Sequence, residues 1–142
     1  MSLTGGCLCG AVRYGVDAPP VVSCHCHCSL CRRASGAAFV TWTTIPVAAL
    51  RWTRGTPAAF RSSPWATRHF CADCGTQLTF RVDASVEAAD GTLDVTTASL
   101  DQSEEMRPAA HIWLSSRASW YALPDDGLAR FEGDLPPGWT GG

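Results

Sequence analysis

The sequence predicts a mainly β domain, and three observations carry that prediction. No long segment repeats apolar residues at the 3.6-residue helical period. Short runs rich in Val, Thr, Phe, Trp and Ile recur along the chain, with Gly or Pro in the gaps. All eight cysteines lie at or before Cys74, in close groups between those runs.

The strand candidates are Ala11 to Val16, Phe39 to Ile45, Leu50 to Arg54, Ala58 to Ser62, Arg68 to Cys71 and Gln77 to Val82. Thr92 to Ser99 and Ala110 to Ser115 follow. Phe39 to Ile45 and Leu93 to Ser99 mix β-branched and polar residues, as half-buried strands do. Only Ser29 to Ala34 and Asp101 to Met106 suit a helical turn. From Leu123 onward the chain carries Asp125-Asp126-Gly127, Pro136-Pro137-Gly138 and a Gly-Gly end. One domain over residues 1–122 and an irregular tail over 123–142 are therefore expected.

Composition narrows the function. With 142 residues, 46% hydrophobic and 17% charged, the chain suits one packed domain. Its net charge is −2 and it has no lysine, so a nucleic-acid partner is not expected; that role relies on neutralising phosphates. No charged leader precedes an apolar run, and no apolar stretch approaches the ~20 residues that span a bilayer. A cytoplasmic location without membrane contact is expected, where thiols stay reduced.

Reduced cysteines at these spacings read as zinc ligands. Zinc favours four tetrahedral ligands, and thiol pairs close in sequence reach one ion from a tight turn. Cys71-Ala-Asp-Cys74-Gly75 is a C-x-x-C turn, and Cys7-Leu-Cys9-Gly10 is a C-x-C pair also followed by glycine. Together these pairs supply four sulfurs, a closed structural site. Cys26-His27-Cys28-Ser29-Leu30-Cys31 supplies three, which leaves a coordination position free, as at a catalytic zinc. Cys24, His25 and His27 are near enough in sequence to close that second site. A disulfide framework needs an oxidising compartment, and a thioredoxin-type C-x-x-C usually opens a helix rather than sitting among β runs and glycine.

Three stretches together resemble a known family. They are Gly6-Cys-Leu-Cys-Gly-Ala-Val-Arg-Tyr14, the run Cys26 to Phe39, and Arg68-His-Phe-Cys-Ala-Asp-Cys-Gly-Thr-Gln-Leu78. In this order they resemble the glutathione-dependent formaldehyde-activating enzyme family, which also includes the centromere protein V group. Gly91 to Asp94 and Pro108 to Trp113 look like its later signatures, so the resemblance spans about residues 5–115. It implies an Mss4-like zinc-knuckle β fold with two zinc ions. Cys7, Cys9, Cys71 and Cys74 match the structural ligands, and Cys26, Cys28 and Cys31 the catalytic ones. Cys24 falls outside the core motif; it is either a spare thiol or a closing ligand.

The implied activity is of carbon–sulfur lyase type: glutathione, or another small thiol, adds to formaldehyde or another small aldehyde. An ion at the three-thiol site then either acidifies the thiol or polarises the carbonyl. Arg32 and Arg33 follow the motif and suit the two carboxylates of glutathione. His25 and His27 are candidate proton shuttles, but alternation turns them from Cys26 and Cys28 toward ordinary hydrogen bonding. His111, in an apolar strand beside Trp113, reads as a packed histidine, and Trp42 as core or pocket lining. The competing function is a non-catalytic, zinc-stabilised β module that binds a protein or small-thiol partner. A methionine-sulfoxide-reductase-type enzyme needs a reactive cysteine on a late strand, and none follows Cys74.

Overall fold

A computed structural model describes residues 2–83 and 91–141. It is mainly β, with one α-helix among the described residues. The strands are β1 (Leu3–Gly6), β2 (Arg13–Val16), β3 (Val22–Cys26), β4 (Val40–Pro46), β5 (Leu50–Arg54) and β6 (Ala58–Ser63). After them come β7 (Ala66–Phe70), β8 (Gln77–Val82), β9 (Thr92–Thr96), β10 (Ala110–Ile112) and β11 (Ala129–Arg130). The helix, α1, spans Ser29–Ser35. None of the described helices is long and apolar enough to cross a membrane.

The chain divides into two compact units. The first comprises Met1–Val21 and Thr43–Met106. Within it β1, β2 and β5 form an antiparallel sheet, and β6 to β9 run as an antiparallel meander. Its core gathers Leu3, Val16, Ile45, Leu78 and Val95 with the ring of Tyr14. Tyr14 keeps its polar end satisfied, its hydroxyl lying 2.7 Å from Ser99 Oγ. Buried Thr43 and Thr97 pair their hydroxyls at 2.8 Å, so neither enters the core unpartnered.

The second unit comprises Val22–Trp42 and Arg107–Gly142. Here β10 lies between β3 and β11 and pairs in parallel with both. Helix α1 follows β3 directly and closes at Gly36, whose amide donates to Arg32 O at 2.8 Å. Residues 123–142, expected as an irregular tail, contribute β11 and further backbone bonds, including Trp113 N to Gly133 O at 2.9 Å.

Several boundaries differ from the sequence reading, each for a local reason. The run Thr92 to Ser99 leaves strand geometry at Thr97, where Ser99 Oγ donates to Thr96 O and a 3₁₀ turn follows. The run Ala110 to Ser115 stops at Ile112, because Trp113 takes the left-handed conformation with φ of 57° and opens a 3₁₀ turn. The stretch Asp101 to Met106 holds a 3₁₀ turn at Ser103–Glu105. Three strands carried no alternation strong enough to read: glycine-rich β1, two-residue β11, and cysteine-bearing β3.

Leu78 is wholly buried in the first core. Leu78→Ala is expected to cost about 2–5 kcal/mol of unfolding free energy, measured by chemical denaturation.

Candidate metal centres

Each unit holds one thiol cluster, so groups that interleave along the sequence sort into separate units. In the first unit the sulfurs of Cys7, Cys9, Cys71 and Cys74 all lie within 4.8 Å of one another. Both halves are built by similar turns. Cys7 N donates to Val12 O at 3.0 Å and Cys71 N to Thr76 O at 3.0 Å. Gly10 N returns to Cys7 O at 3.1 Å, and Gly75 N to Cys71 O at 2.8 Å. Each return needs a positive φ, 80° at Gly10 and 79° at Gly75, which is why glycine follows each cysteine pair.

Thr76 ties the two turns together. Its hydroxyl accepts from Leu8 N at 3.0 Å and sits 3.3 Å from Cys74 Sγ. The Thr76 hydroxyl and amide lower the Cys74 thiol to about 5. At Cys9 the Ala11 amide favours the thiolate, but the crowding Cys74 and Cys7 thiols outweigh it and push the group up to about 12. Four adjacent sulfurs cannot all ionise on their own. A cation removes that conflict.

The spacing fits zinc. A tetrahedron with Zn–S bonds of about 2.3 Å has S···S edges of about 3.8 Å. The sulfurs of Cys7 and Cys9 are 3.6 Å apart, those of Cys9 and Cys71 3.8 Å, and those of Cys26 and Cys31 3.7 Å. A disulfide requires about 2.05 Å, and all eight cysteines are free.

In the second unit Cys26 ends β3, while Cys28 and Cys31 bracket the first turn of α1. Cys28 is the N-cap, its sulfur accepting from Cys31 N at 3.2 Å. The C-x-x-C spacing is therefore the spacing from helix cap to third helical residue. Hydrogen bonds with Cys28 and Cys31, reinforced by burial, hold the Cys26 thiol far above its ordinary range. Among the described residues this cluster gathers three ligand atoms.

Cys24 is not among them. It is buried in β3 opposite Ala110, two residues from Cys26 and so about 6–7 Å away along the strand. His25 and His27 also stay out of the cluster and are hydrogen-bonded elsewhere: His25 Nδ1 to Thr41 Oγ1 at 2.8 Å, and His27 Nε2 to His111 Nδ1 at 2.9 Å. The rings of His27, Phe39, His111 and Tyr121 pack together, with centroids 5.0–5.8 Å apart in the contacts that involve His27. His111 is buried, as a packed histidine is, yet its Nε2 reaches Asp126 Oδ2 at 2.7 Å. Asp126 had no legible signal in the sequence, since it sits in an acidic turn of a tail with no periodicity.

Arg32 and Arg33 part company. The Arg32 guanidinium donates from Nη1 to Ser116 O at 2.8 Å, and its buried Nε has no partner. Arg33 is exposed. Trp42 is buried.

A family model described as glutathione-dependent formaldehyde-activating enzyme matches residues 2–116. Among solved structures, the crystal structure of a protein from Rhodobacter sphaeroides matches with a TM-score of 0.57 and 20% sequence identity. The match covers 90% of this chain and 98% of that one, and it bears on the fold alone.

Thr76→Val is expected to cost about 0.5–1.5 kcal/mol in the same unfolding assay, because it removes the bonds to both the Leu8 amide and the Cys74 sulfur.

Proposed function

This chain belongs to the glutathione-dependent formaldehyde-activating enzyme family, and on that premise we propose that it catalyses the reversible addition of a small thiol to a small aldehyde. Glutathione and formaldehyde are the substrates that the family description favours. The reaction is of carbon–sulfur lyase type. The observation that carries the reading is the asymmetry of the two clusters, four sulfurs in one and three in the other.

On this reading Cys7, Cys9, Cys71 and Cys74 would hold a structural zinc ion through four sulfurs. Cys26, Cys28 and Cys31 would hold a second zinc ion with three protein ligands, the donor set of a site open to a reacting group. When bound there, zinc supplies Lewis acidity. Charge from three thiolates would moderate that acidity.

In the forward direction the thiol gives up its proton, a carbon–sulfur bond forms at the carbonyl carbon, and the carbonyl oxygen becomes a hydroxyl. The reverse breaks that bond and restores both substrates, with no net oxidation or reduction. The cap bond from Cys31 N to Cys28 Sγ fixes the turn that presents the cluster. Arg32, steadied by Ser116 O, offers its remaining N–H groups to a carboxylate of glutathione. Arg33, exposed on the same short helix, adds positive charge for the other carboxylate.

Exchange NMR with ¹³C-formaldehyde and glutathione, run alongside metal analysis, tests this. Wild type is expected to carry two zinc ions and to accelerate exchange between free and adduct carbon. Cys28→Ser is expected to lose at least the roughly 10- to 100-fold typical of outer-shell substitutions around a metal, while keeping the ion of the four-thiol cluster. Equal exchange rates in wild type and Cys28→Ser overturn the catalytic reading in favour of a zinc-stabilised binding module. Cys71→Ser is expected to lose the structural ion and with it most of the folding free energy, seen as loss of the thermal transition.

A further inference from the structure

Three sulfurs without a fourth define a site for an atom that makes three bonds. The sulfurs of Cys26, Cys28 and Cys31 all lie within 4.8 Å of one another, and those of Cys26 and Cys31 are 3.7 Å apart. No fourth His, Cys, Asp or Glu joins them among the described residues, and Cys24 stays outside. All three belong to one six-residue stretch.

Backbone bonds set the three positions in advance. Cys26 ends β3 in register with Ile112, and His27 N donates to Ile112 O at 3.0 Å. Cys28 caps α1, its sulfur accepting from Cys31 N at 3.2 Å, and Arg32 N donates to Cys28 O at 3.0 Å. A site preset in this way loses little freedom on binding. Cys26 and Cys31 are only 4% and 5% exposed, whereas Cys28 is half-buried and offers the first point of attack.

Zinc completes its shell with a fourth ligand, so this set alone leaves it one short. Trivalent arsenic makes three bonds and keeps a lone pair in place of a fourth. It is also soft, and soft partners are the ones that thiolates select. We propose that Cys26, Cys28 and Cys31 form a binding site for a trivalent arsenic oxyacid, taken up as a three-sulfur adduct in exchange for zinc. Each thiol forms one sulfur–arsenic bond and gives its proton to a departing hydroxyl. Arsenous acid and three thiols thus yield the adduct and three waters. From the zinc-loaded set, three protons from solvent replace those of the thiols and Zn²⁺ leaves. Arsenic stays trivalent, so no electron is transferred.

The four-thiol set does not suit the same exchange. Arsenic there would use three sulfurs and leave one behind, in a set whose Cys7 and Cys71 are buried. The arsenic site rests on the geometry of the three sulfurs and not on the activity proposed above. That activity enters only through the expectation that bound arsenic blocks it.

The test is titration of full-length, zinc-loaded protein with sodium arsenite at neutral pH. Released zinc is read with a chromogenic chelator, and the products are weighed by native mass spectrometry. One arsenic is expected to bind per chain, one zinc to leave and one to stay, with loss of the formaldehyde–glutathione exchange activity. Arsenic X-ray absorption is expected to show three sulfur neighbours and no oxygen. Cys28→Ser is expected to weaken arsenite binding by at least about 10-fold, since losing a ligand costs more than losing an outer partner. Cys24→Ser is expected to bind as wild type does.

Two sulfur neighbours around arsenic in wild type, release of both zinc ions or of neither, or equal affinity in wild type and Cys28→Ser overturns the proposal. So does a Cys24→Ser protein weakened as much as Cys28→Ser. Arsenic held by three sulfurs with exchange activity intact overturns the proposed function and leaves the arsenic site standing. A wild type without exchange activity does the same, because zinc release and the sulfur count are read independently of it.

Discussion

Sulfur crowding is the constraint on which the rest of this structure depends. Each cluster sets thiols within 4.8 Å of one another, partly buried, where several negative charges repel unless a cation stands among them. The protein does much to favour the charged form. Amides of Val12 and Cys31 donate to Cys7 and Cys28, at 3.3 Å and 3.2 Å, and Thr76 leans on Cys74. These bonds are too few to stabilise every thiolate, as the raised Cys9 and Cys26 thiols show. The backbone is thus shaped for a partner carrying positive charge, and the glycines after each pair exist to let it turn there.

The two clusters use the chain differently. The four-thiol set joins a turn after β1 to a turn after β7, so it closes a loop of more than sixty residues, with Cys9 and Cys71 62 positions apart. Cross-linking a loop of that length removes much freedom from the unfolded chain. The three-thiol set fits within a single strand end and one helical turn, so it constrains little beyond its own neighbourhood.

Much of this was legible in the sequence because cysteine spacing and β-type runs are local signals. Both the β5 and β8 bounds and the composition of each cluster follow from residues a few positions apart. Strand β3 was hidden because its cysteines and histidine mask the usual apolar alternation, although it is the strand that carries Cys26. The role of Cys24 was open in sequence terms, and tertiary structure answers it: its sulfur lies outside the group formed by Cys26, Cys28 and Cys31. Asp126 was beyond reach for the opposite reason. Its partner His111 is fifteen residues away, across an irregular segment, and only tertiary structure pairs them.

The contrast between a local and a distributed thiol set has a consequence in time. During synthesis the Cys26, Cys28 and Cys31 set is complete as soon as a six-residue stretch has emerged, whereas the other set waits for Cys74. In that interval Cys7 and Cys9 are two reduced thiols without their partners, exposed to whatever metal or oxidant is present. The order of ligands along the chain therefore makes the β7–β8 turn the step that ends the vulnerable phase of this protein's biogenesis.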